Sequence, residues 1–419
     1  MTTVDPHAKD LRGRIRQARI VTQAWLADVC RLADPLQWDS AAELLFRRKC
    51  FNELVLLLLW HERLPHRQLE SLAGIRHFVA SRIDDDYLSM ALRRPERLLM
   101  YSGALGYAVH AGLLDHRQSA VVRATLSGPF AWSLDHTVFR QLDLAMACHF
   151  AGVPAPLDPQ ALFAVSALAL PPSPIHGNRD AFYAVTHSAF YRFFLTDCQV
   201  DMHPALALSI RGGVCRALAS DDLDLGLELI MAQLLHGIPL GPESLMLVEQ
   251  LLDELLAGGH TVARQRTIDV AAFLDVQPGE AGWAGRFHLM LVASLALLLL
   301  EEHADEGWCR PDPLACEGAR AMGSCLLGLH QYHLASGLGH LERLDAAVPL
   351  DPGLLREIAA FVRMSERSDG HFGHLVDEAA RLAKLHPGSD PLTLLAPVDR
   401  ACHAFLQRYP DLQSLQSIR

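Results

Sequence analysis

Seven stretches rich in proline and glycine cut this chain, and no piece between them alternates apolar and polar residues as a strand would. They fall at 154–159, 171–180, 237–244, 258–259, 276–282, 349–353 and 386–391. The pieces between them have the length of one helix or an antiparallel pair, with apolar residues recurring at helical spacing. Local start signals agree. Asp351-Pro352 and Asp390-Pro391 each offer an N-cap with proline at the first helical position, and Ser40-Ala-Ala-Glu43 fits a capping box. The expected fold class is all-α.

A loose repeat refines that expectation. Apolar helices with an internal histidine recur at His149, His187, His236, His288 and His333, at intervals of 38, 49, 52 and 45 residues. Each interval is close to one helical hairpin, which predicts stacked helix pairs closed into an α/α toroid or left open as a solenoid. Residues 126–419 would form this toroid-like repeat domain. Residues 1–125, richer in arginine and in shorter segments, would form an N-terminal helical subdomain. In a toroid the inner helices face one central cavity, which would gather histidines from distant parts of the chain.

Half of the 419 residues are apolar, enough for a large core. A net charge of −11 argues against general affinity for nucleic acid or an anionic membrane surface. The first thirty residues are charged and lack the apolar region of a signal peptide, and the longest apolar run, Leu289 to Leu300, is too short to span a bilayer. The nine cysteines are scattered, with no CxxC pair, which reads as reduced and buried thiols. A soluble cytoplasmic protein is expected.

The strongest candidate site is the stretch from Tyr183 to Asp197. As a helix it sets Tyr183, His187, Tyr191 and Phe194 on one stripe, with Asp197 one further step on. A histidine flanked by phenols one turn either way can act as general acid or base, the phenols donating to developing charge. Asp197 lies ten residues from His187, about 15 Å along a straight helix, so it serves His187 only through a bend or a spanning substrate. His288 and His333 would approach from later repeats. Metal signals are sparse. His330 and His333 share a helix face, as do His371 and His374, and could hold zinc if a carboxylate or cysteine arrived from elsewhere. The aspartate clusters at 84–86 and at 221, 222 and 224 lack the spacing of a magnesium–diphosphate site. No phosphate loop, dinucleotide fingerprint or GxSxG elbow is present.

Two resemblances follow from these residues. The Tyr-x-x-Thr-His-x-x-Phe-Tyr…Thr-Asp pattern at 183–197 is similar to a motif of an uncharacterised all-helical family from actinobacterial biosynthetic gene clusters. It implies an α/α fold over about residues 130–345 and a setting in specialised metabolism, with no activity attached. The fragments Cys148-His149, Ile175-His176-Gly177 and Trp308-Cys309 resemble pieces of the lanthionine cyclase signatures. That family is an α/α toroid in which cysteine and histidine hold a zinc that activates a peptide thiol. Here Cys148-His149 comes first rather than last, out of the family order.

The expected function is therefore a cytoplasmic tailoring enzyme acting on a peptide or small metabolite in a central cavity. Its concrete form is lanthionine-type cyclisation by acid/base chemistry. His187, Tyr191 and Asp197 would be catalytic, and Tyr183, His288 and His333 would bind substrate. The alternative is a non-catalytic helical scaffold that binds a leader peptide or partner enzyme. No cofactor is required, zinc being the one metal the pattern allows.

Overall fold

The computed structural model describes residues 6–37, 41–64, 72–93, 95–134, 136–257, 278–303, 308, 311–331, 333–366, 384 and 391–410. The fold is all-helical, and no strand occurs among the described residues. The first half comprises α1 (Pro6–Val29), α2 (Ala41–Arg63), α3 (Ala73–Arg82), α4 (Asp85–Leu92), α5 (Ser102–His110), α6 (His116–Leu126), α7 (Pro129–Ser133), α8 (Val138–Ala151) and α9 (Pro159–Ala164). Then come α10 (Arg179–Phe194), α11 (Leu206–Ala219), α12 (Leu223–Leu235), α13 (Pro242–Leu256) and α14 (Pro278–His303). The last described helices are α15 (Pro313–His330), α16 (Leu334–Glu342), α17 (Pro352–Glu366) and α18 (Pro391–Arg408). The cap expected at Asp351 forms, its Oδ1 accepting from the Leu354 backbone N–H at 2.8 Å. Ser40, Asp390, His371 and His374 lie outside the described residues.

Two helices set the centre of the molecule. In α12 every residue from Leu223 to Leu234 is buried, and the helix packs on α10, α11, α13 and α14. A helix buried around its whole circumference and mostly apolar belongs in a core, and each leucine taken fully out of water contributes roughly 1.5–3 kcal/mol. Asp222 starts α12 by accepting from the Leu225 N–H, which satisfies one of the donors that a first turn leaves open. Along α14, Trp283–His303 is the one described segment long and apolar enough to cross a membrane, yet 83% of its most apolar window is buried inside the fold. It packs on α1, α2 and α12.

Aromatic contacts fix α2 against α10. Trp60 stacks on Phe193 at 4.6 Å and meets Phe190 and Phe194 edge-on at 5.6 and 5.7 Å, contacts worth about 0.5–1.5 kcal/mol each beyond their buried area. The start of α10 is held by Asn178, whose side chain accepts from the Ala181 N–H at 2.8 Å. The loop before it is tied by the buried Arg216 of α11, which donates to the carbonyls of Pro174, Ile175 and Gly177. A second core gathers Ile175, Cys215 and residues from α15 to α18. It joins the first where α11 crosses α15, and a Cβ on Gly323 would run into the Cys215 carbonyl oxygen there. Only glycine permits that approach.

Candidate metal and acid/base centre

Asp224 and Glu228 stand one turn apart on α12 and so share a face. Opposite them α14 brings His288, α2 brings Lys49 and Glu53, and α10 brings Tyr183, Thr186 and His187. Four helices thus deliver three carboxylates and two imidazoles to one place inside the apolar body.

The imidazole of His288 sits in the middle. Its Nδ1 lies 3.0 Å from Glu53 Oε1, while its Nε2 lies 3.4 Å from Asp224 Oδ1 and 3.7 Å from Glu228 Oε1. The far oxygens of both α12 carboxylates are engaged from α10. Tyr183 donates its hydroxyl to Asp224 Oδ2 at 2.5 Å, and Thr186 donates to Glu228 Oε2 at 2.5 Å. His187 Nε2 approaches the same Glu228 oxygen at 3.8 Å. At the rim, Lys49 pairs with Glu53 at 3.5 Å. Arg179 clamps Asp222 through two donors at 2.6 and 3.1 Å and reaches Asp224 Oδ2 at 3.4 Å. Exposure is graded, the Glu228 side chain being 2% exposed, Asp224 13% and His288 35%. The centre is therefore closed below and reaches solvent on one side.

Burial opposes charge on every group here, and the partners decide which groups stay charged. Burial alone would lower the His288 pKa, but Glu53 and then Asp224 outweigh it and raise it well above the ordinary value. Glu53, raised by burial, is pulled down to about 2 by His288 and Lys49. Glu228 is also lowered despite burial, by His288, His187 and Thr186. Asp224 is raised, with burial as the leading cause and Glu228 adding to it. His187 is lowered by burial and stays a neutral imidazole.

Of the six sequence-derived site residues, Tyr183, His187 and His288 meet at this centre. Tyr191 is buried one turn behind, its ring 6.3 Å from that of His187. Asp197 does not join them. Helix α10 ends at Phe194, and Asp197 is exposed beyond it, where its charge acts on His149 of α8. His333 lies elsewhere too, at the N-cap of α16 in an open cleft with Ser324, Ser336 and His340. Of the five repeat histidines, only His187 and His288 come together around these carboxylates.

His236 stands at the C-cap of α12, half-buried, with neither ring nitrogen hydrogen-bonded among the described residues. Burial, and then Arg192, push its pKa down to about 4. The folded protein thus declines a proton that the unfolded chain takes up below about pH 6.5, so this residue makes stability fall as pH drops from about 6.5 towards 4. In His236→Leu, urea denaturation across that range should show the acid loss reduced by about 2 kcal/mol. Parallel pH profiles for wild type and variant would contradict it.

The resemblance to lanthionine cyclases does not draw its fragments into one site. Cys148 is a buried thiol bonded to the Leu126 carbonyl, its pKa pushed up to about 12 by burial. His176 packs on Phe361 at 5.4 Å, and Cys309 lies outside the described residues. His330, offered with His333 as a zinc pair, turns its Nδ1 to the Ile175 carbonyl at 3.0 Å. Among the described residues, Asp224, Glu228 and His288 form the one group of three whose donor atoms all lie within 4.8 Å of one another, close enough to hold a metal ion.

The sequence reading missed Glu53, Glu228, Thr186, Lys49 and Arg179. It met Asp224 only as part of an aspartate run. The available signal was a carboxylate four residues on, at Glu228, inside a mostly apolar segment. A family described as a domain of unknown function (DUF6895) matches residues 21–298, a span that includes every residue of the centre. No curated protein and no solved structure matches the chain.

Proposed function

For a chain that belongs to the DUF6895 family, a domain of unknown function, we propose an enzyme whose working centre is the carboxylate–imidazole cluster on α2, α10, α12 and α14. One observation carries this reading. Asp224 and Glu228 occupy buried positions in a helix whose other buried residues, Gln233 apart, are leucine, other apolar residues or glycine, where packing alone would favour another apolar side chain. Perturbed titratable groups concentrated in one place are a mark of functional sites.

In this reading His187, neutral and beside Glu228, takes a proton from the substrate, and the carboxylate stabilises the imidazolium that forms. The phenols of Tyr183 and Tyr191, whose pKa values burial raises, stay protonated, and Tyr183 holds Asp224 in place. The substrate is a peptide or small metabolite entering from the side where His288 meets solvent, and the setting is cytoplasmic tailoring in specialised metabolism. The helical hairpins would wrap this centre as an α/α toroid or solenoid. The most concrete chemistry is addition of a thiol or carbon nucleophile across the C=C bond of a dehydrated residue in a modified peptide. The nucleophile gives its proton to His187 as its bond to the β-carbon forms and the π bond breaks, and the imidazolium returns that proton to the α-carbon.

His187→Ala tests this. In a producing strain, mass spectrometry should show one product lost and its precursor accumulating, while circular dichroism and thermal midpoint stay near wild type. An unchanged metabolite and peptide profile would reject His187 as the acid/base and favour a scaffold that binds a leader peptide or partner enzyme.

A further inference from the structure

We propose that Asp224 Oδ1, Glu228 Oε1 and His288 Nε2 bind one divalent transition-metal ion of the zinc or manganese class, with Glu53 as the positioning residue behind the imidazole. The inference rests on the cluster being the working centre and names what that centre binds.

Distances come first. Around an ion with bonds of about 2.1 Å, tetrahedral ligand atoms stand about 3.4 Å apart. His288 Nε2 is 3.4 Å from Asp224 Oδ1 and 3.7 Å from Glu228 Oε1, and the three donors lie within 4.8 Å of one another. Shifts of an ångström or less would seat a cation.

The second argument is how each ligand is held. Tyr183 engages the other oxygen of Asp224, Thr186 the other oxygen of Glu228, and Glu53 faces the other nitrogen of His288. One donor atom per residue is left, and the three point at each other. A histidine with a carboxylate on its far nitrogen is the usual outer-shell arrangement at metal sites, because it fixes the tautomer and the ring orientation. The Asp224 Oδ1 is buried and makes no hydrogen bond among the described residues. Such an acceptor is costly to leave unused.

Charge gives the third argument. Lys49 offsets Glu53, and Arg179 offsets one of the two aspartates it touches, Asp222 and Asp224, which leaves two carboxylate charges facing His288 and the neutral imidazole of His187. One imidazolium leaves an excess negative charge, whereas a divalent ion beside a neutral imidazole closes the sum. Two oxygens and one nitrogen suit zinc, manganese or iron(II) rather than a thiophilic ion. Three protein ligands leave a coordination position for water or substrate.

The test uses the full chain, stripped with chelator and dialysed against zinc, manganese or cobalt(II) one at a time. Wild type should retain about one ion per chain, and the cobalt form should show visible bands without a thiolate charge-transfer band. Asp224→Asn should weaken binding about 100-fold or more, and Glu53→Gln about 10–100-fold. Thr186→Val should weaken it in the same direction, as a check independent of changes in cluster charge. No retained ion, equal binding by wild type and these folded variants, or a thiolate band would each overturn the proposal. The two readings separate cleanly. Failed metal binding alongside product loss in His187→Ala rejects the ion and keeps the acid/base centre, while one bound ion with normal product in His187→Ala does the reverse.

Discussion

His288→Leu is expected to lower the unfolding free energy by about 3 kcal/mol, measured by urea denaturation in the presence of chelator. Removing one partner of a buried ion set leaves the others uncompensated, at roughly 3–5 kcal/mol. His288 retains 35% side-chain exposure, which admits water and places the effect at the low end. Its removal strands Glu53, Asp224 and Glu228 together, with Lys49 the one cation among the described residues still within salt-bridge distance of Glu53 and Arg179 the one near Asp224. Adding Asp224→Asn to His288→Leu should restore at least about 1 kcal/mol, because two sites sharing one interaction are not additive. By contrast Asp253→Asn, at an ion pair whose carboxylate is 76% exposed, should change stability by less than about 1 kcal/mol. A small loss in His288→Leu, equal to that of Asp253→Asn, would mean that the cluster is solvated and weakly coupled.

Arg216→Leu should destabilise by about 2–4 kcal/mol and open the loop at 171–178 to proteolysis. The guanidinium lies buried over the Phe182 ring at 5.3 Å and donates to three carbonyls of that loop. Burial pushes its pKa down to about 10, yet it remains charged at neutral pH. Hydrogen bonds from a charged donor contribute about 1.5–3 kcal/mol, and carbonyls left without a donor add their own penalty. Arg216→Lys should recover only part of this, since an ammonium cannot reproduce the planar fork. The consequence reaches the centre, because the loop leads into Asn178 and so fixes the start of α10, which carries Tyr183, Thr186 and His187. Limited proteolysis and thermal midpoints of the two variants check it. Wild-type resistance in Arg216→Leu would mean that the loop is anchored by other contacts.

Helix class was legible because spacing of three and four is a local property, and so were caps such as Asp351, whose side chain bonds three residues ahead. The stripe Tyr183, His187, Tyr191 also formed, with adjacent rings 5.9 and 6.3 Å apart. It ended sooner than expected, since α10 stops at Phe194 and leaves Asp197 in solvent. Histidine recurrence was a weaker guide. Histidine at regular intervals says nothing about which face each ring occupies, so His236 and His333 end at caps while His288 points inward. The acidic half of the centre was hidden by its neighbours. Asp222 and Asp224 are two residues apart but do different work, one capping α12 and pairing with Arg179, the other facing His288. That Glu53 of α2 meets His288 of α14 depends on long-range packing, which no local pattern encodes.

The most direct measurement is the stability of Asp224→Asn beside its product formation, both in chelator-treated protein and in cells. Three carboxylates facing too little positive charge are a strained arrangement kept for chemistry, so neutralising one should raise the unfolding free energy by about 1 kcal/mol while product is lost. A variant that is less stable than wild type and still makes product would show Asp224 to be part of a structural ion network, and the interior centre would not be a working site.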